Sequence, residues 1–259
     1  MTSTVSVLPV LPKPVTRSAE PEGSGVAFGD GHHVMTARHV IDGAEAIRVR
    51  TSDGEVVDAT LVGSDTLTDI AVLEIETALP AIAMGGDAIL GSPVCAIGNA
   101  FGLGLTVACG IVSGVHKAGI GFNPIEDFVQ TDAAINPGVS GGALIDGEGR
   151  MVGLVSAIFT KTSDANIGVN FAVAAPLAER VVDGILGSGG FHPPRTGVRL
   201  RPWPPRGETG RMAARVEAVE AGSPAGEAGL KDGDRIVRAD GRRIRDPADY
   251  VKELVRYAF

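Results

Sequence analysis

The feature that most limits the fold is a series of short apolar runs between turns, from about residue 25 to residue 180. Runs such as 70–75 and 151–157 have strand length, and Asp-Gly turns such as 53–54 and 146–147 separate them. Many short strands with such turns are typical of all-β barrels and sandwiches. Glycine (36 residues) and proline (16 residues) also favour strands and turns over long helices. We therefore expect a mainly β structure here, with a short helical turn after His39 and one longer helix over 175–185.

The charge of the chain changes sign near residue 190. Residues 1–190 carry 9 Lys and Arg against 21 Asp and Glu, whereas residues 191–259 carry 14 against 10. A glycine- and proline-rich segment, 187–194, coincides with the change and predicts a linker between two domains. The overall charge of −8 and the 4% of aromatic residues argue against a nucleic-acid-binding protein. The pattern after the linker predicts strands over 198–201, 214–219 and 234–239, a short helix over 223–230 and a closing helix over 246–257.

Three further features bear on location and redox state. The longest uncharged stretch, 88–116, is interrupted by glycine and proline, which predicts two strands and a loop rather than a membrane span. The N-terminus has no basic start followed by a long apolar run, so the chain as written is expected in the cytoplasm.

Cys95 and Cys109 fall in neighbouring strand-like runs. A disulfide between them is geometrically possible, but the interpretation we favour is two small buried thiols.

The sharpest local signal is a serine between glycines, Ser140, in the sequence GVSGG at 138–142. Such a loop can offer a nucleophile and outward-pointing amides together, although glycine-rich turns with serine also occur for structural reasons. Serine needs a base, and His39 lies at the end of a strand-like run. Asp69 begins an apolar run, where a carboxylate is costly unless it accepts hydrogen bonds, as from an imidazole. The chain order His39, Asp69, Ser140 is that of a chymotrypsin-type triad.

Six segments together closely resemble the HtrA/Deg family of trypsin-like serine proteases, which act in protein quality control. They are GSGVAF at 23–28, TARHVI at 36–41, TDIAVL at 68–73, AIGNAFG at 96–102, GIVSG at 110–114 and QTDAAINPGVSGGAL at 130–144. The resemblance implies a chymotrypsin-type double β-barrel over 23–186, with its active site in the cleft between the barrels. The preceding residues, 1–22, would form an extension and the first strand, at 5–7.

The same resemblance implies roles for individual residues. Ser140 would be the nucleophile, His39 the general base and then acid, and Asp69 the group that fixes the tautomer of His39. The amides of Gly138 and Ser140 would form the oxyanion hole. This chemistry needs no metal or organic cofactor.

Substrate preference follows from the residue six positions before the nucleophile, which lines the primary pocket in this fold. That residue is Ala134, with Ile135 beside it, so no carboxylate is present to bind Lys or Arg. The resemblance places Asn170 and Phe171 in another pocket wall, where the family usually has glycine in place of Asn170. We expect cleavage after small or medium apolar residues. Val139 also replaces the asparagine usual before the serine.

The C-terminal segment, 195–259, resembles a PDZ domain, most closely over 221–244. Arg195 and Gly197 stand where the family has its carboxylate-binding loop. Val198 would begin the edge strand and Val251 would lie on the groove helix, so that a peptide C-terminus could bind between them. The chain stops at Phe259, before the last strands that such domains normally have, so we expect a domain that is truncated, completed by another chain or only partly folded.

The first hypothesis is therefore a serine endopeptidase that acts on unfolded proteins. The family also implies a homotrimer, and a periplasmic location if the true N-terminus lies upstream. The alternative is a non-proteolytic chaperone or peptide-binding protein that keeps the same fold. Val139, Asn170 and the short PDZ-like segment favour this alternative, whereas the intact triad favours the enzyme. A glutamate-specific secreted protease of the same fold is disfavoured by the PDZ-like segment.

Overall fold

The computed structural model describes residues 2–12, 22–158 and 168–256, and these residues fall into two units. The first unit contains 1–117 and 122–191, and the second contains 118–121 and 192–259. No helix in the described part of the chain is both long enough and apolar enough to cross a membrane.

A closed barrel forms the first half of the first unit. Its strands are β1 (Thr4–Val10), β2 (Gly23–Phe28), β3 (His33–Ala37), β4 (Ala46–Arg50), β5 (Val56–Asp65) and β6 (Ile70–Ile75). They pair in the order β1-β2-β3-β6-β5-β4, and β4 closes the barrel on β1. In β4, Ile47 and Val49 point into the barrel and Arg48 points outwards, as the alternation of a strand requires. The interior is filled by buried aliphatic side chains such as Val7 and Leu73.

The second barrel repeats this strand order. Its strands are β7 (Pro93–Gly98), β8 (Thr106–Lys117), β9 (Phe128–Thr131), β10 (Ala143–Asp146), β11 (Met151–Ile158) and β12 (Asn170–Ala174). They pair as β7-β8-β9-β12-β11-β10, and β10 closes on β7. The uncharged stretch 88–116 thus forms two strands and a loop, as predicted. The two barrels confirm the expected fold class.

The two cysteines are joined, which corrects the interpretation that they are free buried thiols. Cys95 of β7 lies directly opposite Cys109 of β8 in the strand register, and the two form a disulfide. Their Cα atoms are 4.0 Å apart, because directly opposed residues of antiparallel strands approach closely. Cys109 is exposed, so the bridge lies on the outside of the barrel.

The first unit ends in helix α1, Ala175–Ser188, which begins with Pro176 and ends at Gly189 in the left-handed conformation. The helix is longer than predicted and includes the start of the expected linker. Its buried face, with Val181 and Ile185, packs against both barrels, on β5 and β6 of the first and on β11 and β12 of the second.

The second unit contains a three-stranded sheet, a small hairpin and two helices. These are β13 (Val198–Trp203), β14 (Ala213–Val219), α2 (Pro224–Glu227), β15 (Arg235–Ile236), β16 (Arg238–Ala239), β17 (Arg242–Arg243) and α3 (Pro247–Arg256). The single strand predicted over 234–239 is wrong, because its first part pairs with β14 and its second part pairs with β17. Asp240 and Gly241, both with positive φ, form the turn between β16 and β17.

Candidate active site

Asp69 and His39 form a close pair at the ends of β6 and β3. Asp69 has a φ of 63°, a left-handed conformation that aspartate tolerates better than most residues. One carboxylate oxygen of Asp69 accepts the backbone N–H of His39 (2.9 Å), and the other lies 2.6 Å from Nδ1 of His39. A carboxylate only accepts hydrogen bonds, so Nδ1 of a neutral His39 carries the proton and Nε2 keeps its lone pair. The pair therefore presents a basic nitrogen.

The turn before Asp69 is held by a second carboxylate. Oδ2 of Asp65 accepts hydrogen bonds from the backbone N–H and the hydroxyl of Thr68, at 2.8 and 2.6 Å. Asp65 is buried, so it is a structural residue that stabilises the turn presenting Asp69.

Ser156 on β11 links Asp69 to Ser140. The hydroxyl of Ser156 donates to Oδ2 of Asp69 (3.4 Å), and its carbonyl accepts the hydroxyl of Ser140 (3.3 Å). Asp69 belongs to the first barrel, and Ser156 and Ser140 to the second. His39, Asp69 and Ser140, chosen from distant segments of the sequence, are thus joined into one hydrogen-bonded group. Ser156 was missed by sequence reasoning, because no local motif marks it.

The loop that carries Ser140 requires glycine at Gly138. Its φ is 95°, and a Cβ there would overlap the carbonyl oxygen of Asn99. The preceding carbonyl, of Pro137, accepts the N–H of Phe101 (2.7 Å). Because the Pro137–Gly138 peptide is trans, the N–H of Gly138 points away from that carbonyl. Among the described residues, the N–H groups of Gly138 and Ser140 donate to no protein acceptor, so both remain available to a ligand.

Ser24 on β2 is a second residue that sequence reasoning missed, although it lies within one of the family-like segments. Its side chain is 0% exposed. The hydroxyl donates to the carbonyl of Gly138 (2.7 Å) and accepts the N–H of Asn99 (2.8 Å). The backbone N–H of Ser24 donates to the carbonyl of Ser140 (2.8 Å). Ser24 therefore attaches the nucleophile loop to the first barrel at two points.

The four predicted pocket residues lie in different surroundings. Ala134 is exposed. Ile135 is 1% exposed and belongs to the core of the second barrel, and Phe171 packs against Phe128 in an aromatic cluster. Asn170 is 0% exposed, and its Nδ2 donates to the carbonyl of Ala133 at 2.8 Å. Their contribution to a substrate pocket stays a prediction.

In the second unit, the predicted peptide-binding residues lie where β13 begins and along α3. Gly197 has a φ of 77°, and a Cβ there would overlap the side chain of Ser223. The hydroxyl of Tyr250 on α3 donates to Oγ1 of Thr196, at 3.0 Å, which joins the loop to the helix. Arg195 is exposed, and Val198 and Val251 are half-buried. β13 pairs with β14 on one side only and is the edge of its sheet.

No group of three or more His, Cys, Asp or Glu side chains within residues 2–12, 22–158 and 168–256 could hold a metal ion. The site consists of protein groups capable of proton transfer, nucleophilic attack and hydrogen bonding.

Comparison with known proteins agrees with this geometry. A family model of the trypsin-like peptidase domain matches residues 23–154, and a PDZ domain model matches residues 215–256. The fold and these matches define a trypsin-like peptidase domain followed by a PDZ domain.

Two named relatives and a solved structure narrow this class. A probable periplasmic serine endoprotease DegP-like from Brucella suis is 35% identical over 95% of this chain and 50% of its own length. Protease Do-like 1, chloroplastic, from Arabidopsis thaliana is 35% identical over 90% of this chain and 57% of its own length. The HtrA-type protease AlgW with a tripeptide has a TM-score of 0.80 and 36% identity, covering 99% of this chain and 85% of that one.

The chain belongs to the HtrA/Deg family of trypsin-like serine proteases. It spans about half the length of the curated relatives it matches.

Proposed function

We propose that this chain is a serine endopeptidase of protein quality control, which cleaves unfolded polypeptides with Ser140, His39 and Asp69. The observation that carries the proposal is the hydrogen-bonded group described above, in which Ser156 connects the His39–Asp69 pair to Ser140. The proposal is supported by a serine in a loop that requires glycine, which Ser156 links to a histidine oriented by a carboxylate.

The reaction would proceed through an acyl-enzyme. Oγ of Ser140 attacks the carbonyl carbon of the scissile bond while Nε2 of His39 takes its proton, then passes that proton to the departing amine. A water molecule activated by His39 next attacks the ester carbonyl and releases Ser140. Asp69 remains ionised and stabilises the imidazolium formed in both steps. The amides of Gly138 and Ser140 would stabilise the oxyanion, each typically by about 3–4 kcal/mol.

Substrate preference is expected to favour small or medium apolar residues before the cleaved bond. Ala134 contributes only an exposed methyl group at the position that sets the charge of the primary pocket. Asn170, hydrogen-bonded to the carbonyl of Ala133, would limit the depth of that pocket.

The PDZ domain would bind the C-termini of peptides as an added strand. β13 is the edge strand of its sheet. The loop at Gly197 is held by Tyr250 of α3, through Thr196, and by the segment before α2, where the backbone N–H of Glu220 donates to the carbonyl of Gly197 at 2.8 Å. Arg195 beside the loop would attract the terminal carboxylate. Assembly of the chain as a homotrimer stays a prediction from the family.

A fluorophosphonate probe tests the catalytic assignment, because it reacts only with an activated serine. We expect labelling of Ser140 that is lost in Ser140→Ala and in His39→Ala. His33 at the start of β3 is the matched control, since its Nδ1 also lies close to a carboxylate, 3.2 Å from Asp30. His33→Ala should label normally. Each triad substitution should lower kcat by about 10⁴-fold or more, and the double substitution little further.

The same experiment separates the enzyme from the non-proteolytic alternative. Absence of labelling and of casein cleavage, with binding of a peptide C-terminus retained, would replace the endopeptidase by a chaperone or peptide-binding protein. Cleavage mainly after glutamate would refute the proposed apolar preference and leave the triad intact.

A further inference from the structure

Three arginines lie side by side across one face of the sheet in the second unit. Arg201 of β13 is directly opposite Arg215 of β14, and Arg215 is directly opposite Arg235 of β15. We call these three residues the arginine row. Arg201 and Arg235 are exposed and Arg215 is half-buried. Adjacent strands are about 4.8 Å apart, so the three guanidinium groups are carried on closely spaced backbones.

No carboxylate of the described residues forms an ion pair with the arginine row. Arg199, which precedes the row on β13, contrasts with it, because its Nε lies 2.8 Å from Glu217. Like charges directly opposite each other in a sheet are destabilising. A row of three such charges without an ion-pair partner among the described residues weakens this small sheet unless an anionic partner binds it.

Trp203 fixes part of the row in place. The guanidinium carbons of Arg215 and Arg235 lie 5.1 and 5.4 Å from the centre of the indole ring. These cation–π contacts orient the two side chains and reduce the entropy lost when they bind a ligand.

We propose that the arginine row binds an acidic segment of a polypeptide, separately from the groove between β13 and α3. Planar guanidinium groups pair with carboxylates through two parallel hydrogen bonds, and three of them can engage successive carboxylates. Same-face side chains of an extended peptide are about 7 Å apart, a spacing that long arginine side chains accommodate. The binding does not require catalysis by Ser140, so its test is independent of the test of the proposed function.

Charge favours a peptide over a larger polyanion. Residues 191–259 carry 14 basic against 10 acidic residues, whereas residues 1–190 carry 9 against 21. Residues 191–259 have an excess of only four basic residues (14 − 10), which is little for the extended basic surface that a nucleic acid or an anionic membrane requires. A short acidic segment can be held by the row alone.

The test uses the full chain and a fluorescently labelled oligoglutamate peptide with an amidated C-terminus. The amide removes the terminal carboxylate, so binding in the PDZ groove does not contribute. Fluorescence anisotropy should report binding that weakens as salt is added, because exposed charge pairs are screened. Emission of Trp203, the single tryptophan of the chain, should change along the same titration curve.

The informative variant is the double substitution Arg201→Gln and Arg235→Gln, and the matched control is Arg199→Gln. The double variant should weaken binding by about tenfold, whereas the control, whose charge is already neutralised by Glu217, should bind within about twofold of the parent. Replacement of the same two arginines by lysine should preserve most of the binding. The double variant should unfold at about the same urea concentration as the parent, because the relief of like-charge repulsion offsets the loss of the Arg235–Trp203 contact.

Equal weakening in the double variant and the control would overturn the proposal, as would absence of binding by the parent. Tighter binding of an oligonucleotide of equal charge, or of vesicles rich in phosphatidylglycerol, would also overturn it and assign the row to that polyanion.

Discussion

Replacing Ser24 by alanine tests whether the nucleophile loop depends on its attachment to the first barrel. The substitution removes a hydroxyl that is buried and makes two hydrogen bonds, to the carbonyl of Gly138 and from the N–H of Asn99. The backbone hydrogen bond from Ser24 to the carbonyl of Ser140 is unaffected by the change. The perturbation is therefore confined to the side of the loop that would form the oxyanion hole.

The magnitude follows from the two groups left without a partner. A buried polar group that loses its hydrogen bond costs about 1–3 kcal/mol, so Ser24→Ala, which leaves two such groups, should lower the free energy of unfolding by about 2–6 kcal/mol. If a third to a half of this free energy is lost from binding of the transition state by the loop, kcat/KM should fall by about tenfold. KM should change less than kcat, since the oxyanion exists only in the transition state.

Urea denaturation and steady-state hydrolysis of a peptide substrate measure the two effects. Ser92→Ala is the matched control, because the hydroxyl of Ser92 makes one exposed hydrogen bond to the carbonyl of Ile89. The control should change stability by less than about 0.5 kcal/mol and leave hydrolysis unchanged. A Ser24→Ala variant that matches Ser92→Ala in both assays would refute the role of Ser24.

Three other outcomes are expected. Reduction of Cys95–Cys109, separated by 14 positions, should lower the free energy of unfolding by about 3 kcal/mol in urea, and a variant with serine at both positions should not respond to reductant. Burial alone would raise the pKa of Asp249, but hydrogen bonds from Arg245 and Lys252 outweigh burial and lower it to about 2 from an ordinary value of 3.8. Because the pKa of Asp249 is lower in the folded state than in the unfolded state, about 2 kcal/mol of stability should be present above pH 4 and be lost as the pH falls towards 2. Acid titration of unfolding would measure this loss, and the variant Asp249→Asn should lack it. Asn170→Ala should lower the free energy of unfolding by about 1–3 kcal/mol in urea, because the buried Ala133 carbonyl loses its donor.

Much of the secondary structure could be predicted because its signals are local. The strand over Ile70–Ile75 was predicted with the bounds it has, since an apolar run broken only by Glu74 begins directly after a turn. The predicted helix from Ala175 also exists, but it continues to Ser188, because the glycine in its last turns does not end it. The strand predicted over 234–239 failed because its two halves pair with different partners, and pairing is not a local property.

The candidate site shows the same division. Ser140, His39 and Asp69 were named from short motifs and their order along the chain. Ser24 and Ser156, which connect these residues, lie in strands whose local sequence carries no sign of the contact. Asp65 is buried and accepts the N–H of Thr68, a contact for which the local sequence gives no signal.

The sequence by itself indicated the mainly β class, and it predicted a domain change near residue 190 and a candidate triad, because composition, alternation and motifs are readable within a few neighbouring positions. Only the tertiary structure decided which distant residues meet. The register of β7 and β8 places Cys95 against Cys109, and the register of the second sheet aligns the arginine row. Register depends on how whole strands align and close into barrels, and this alignment is set by the packing of many side chains at once.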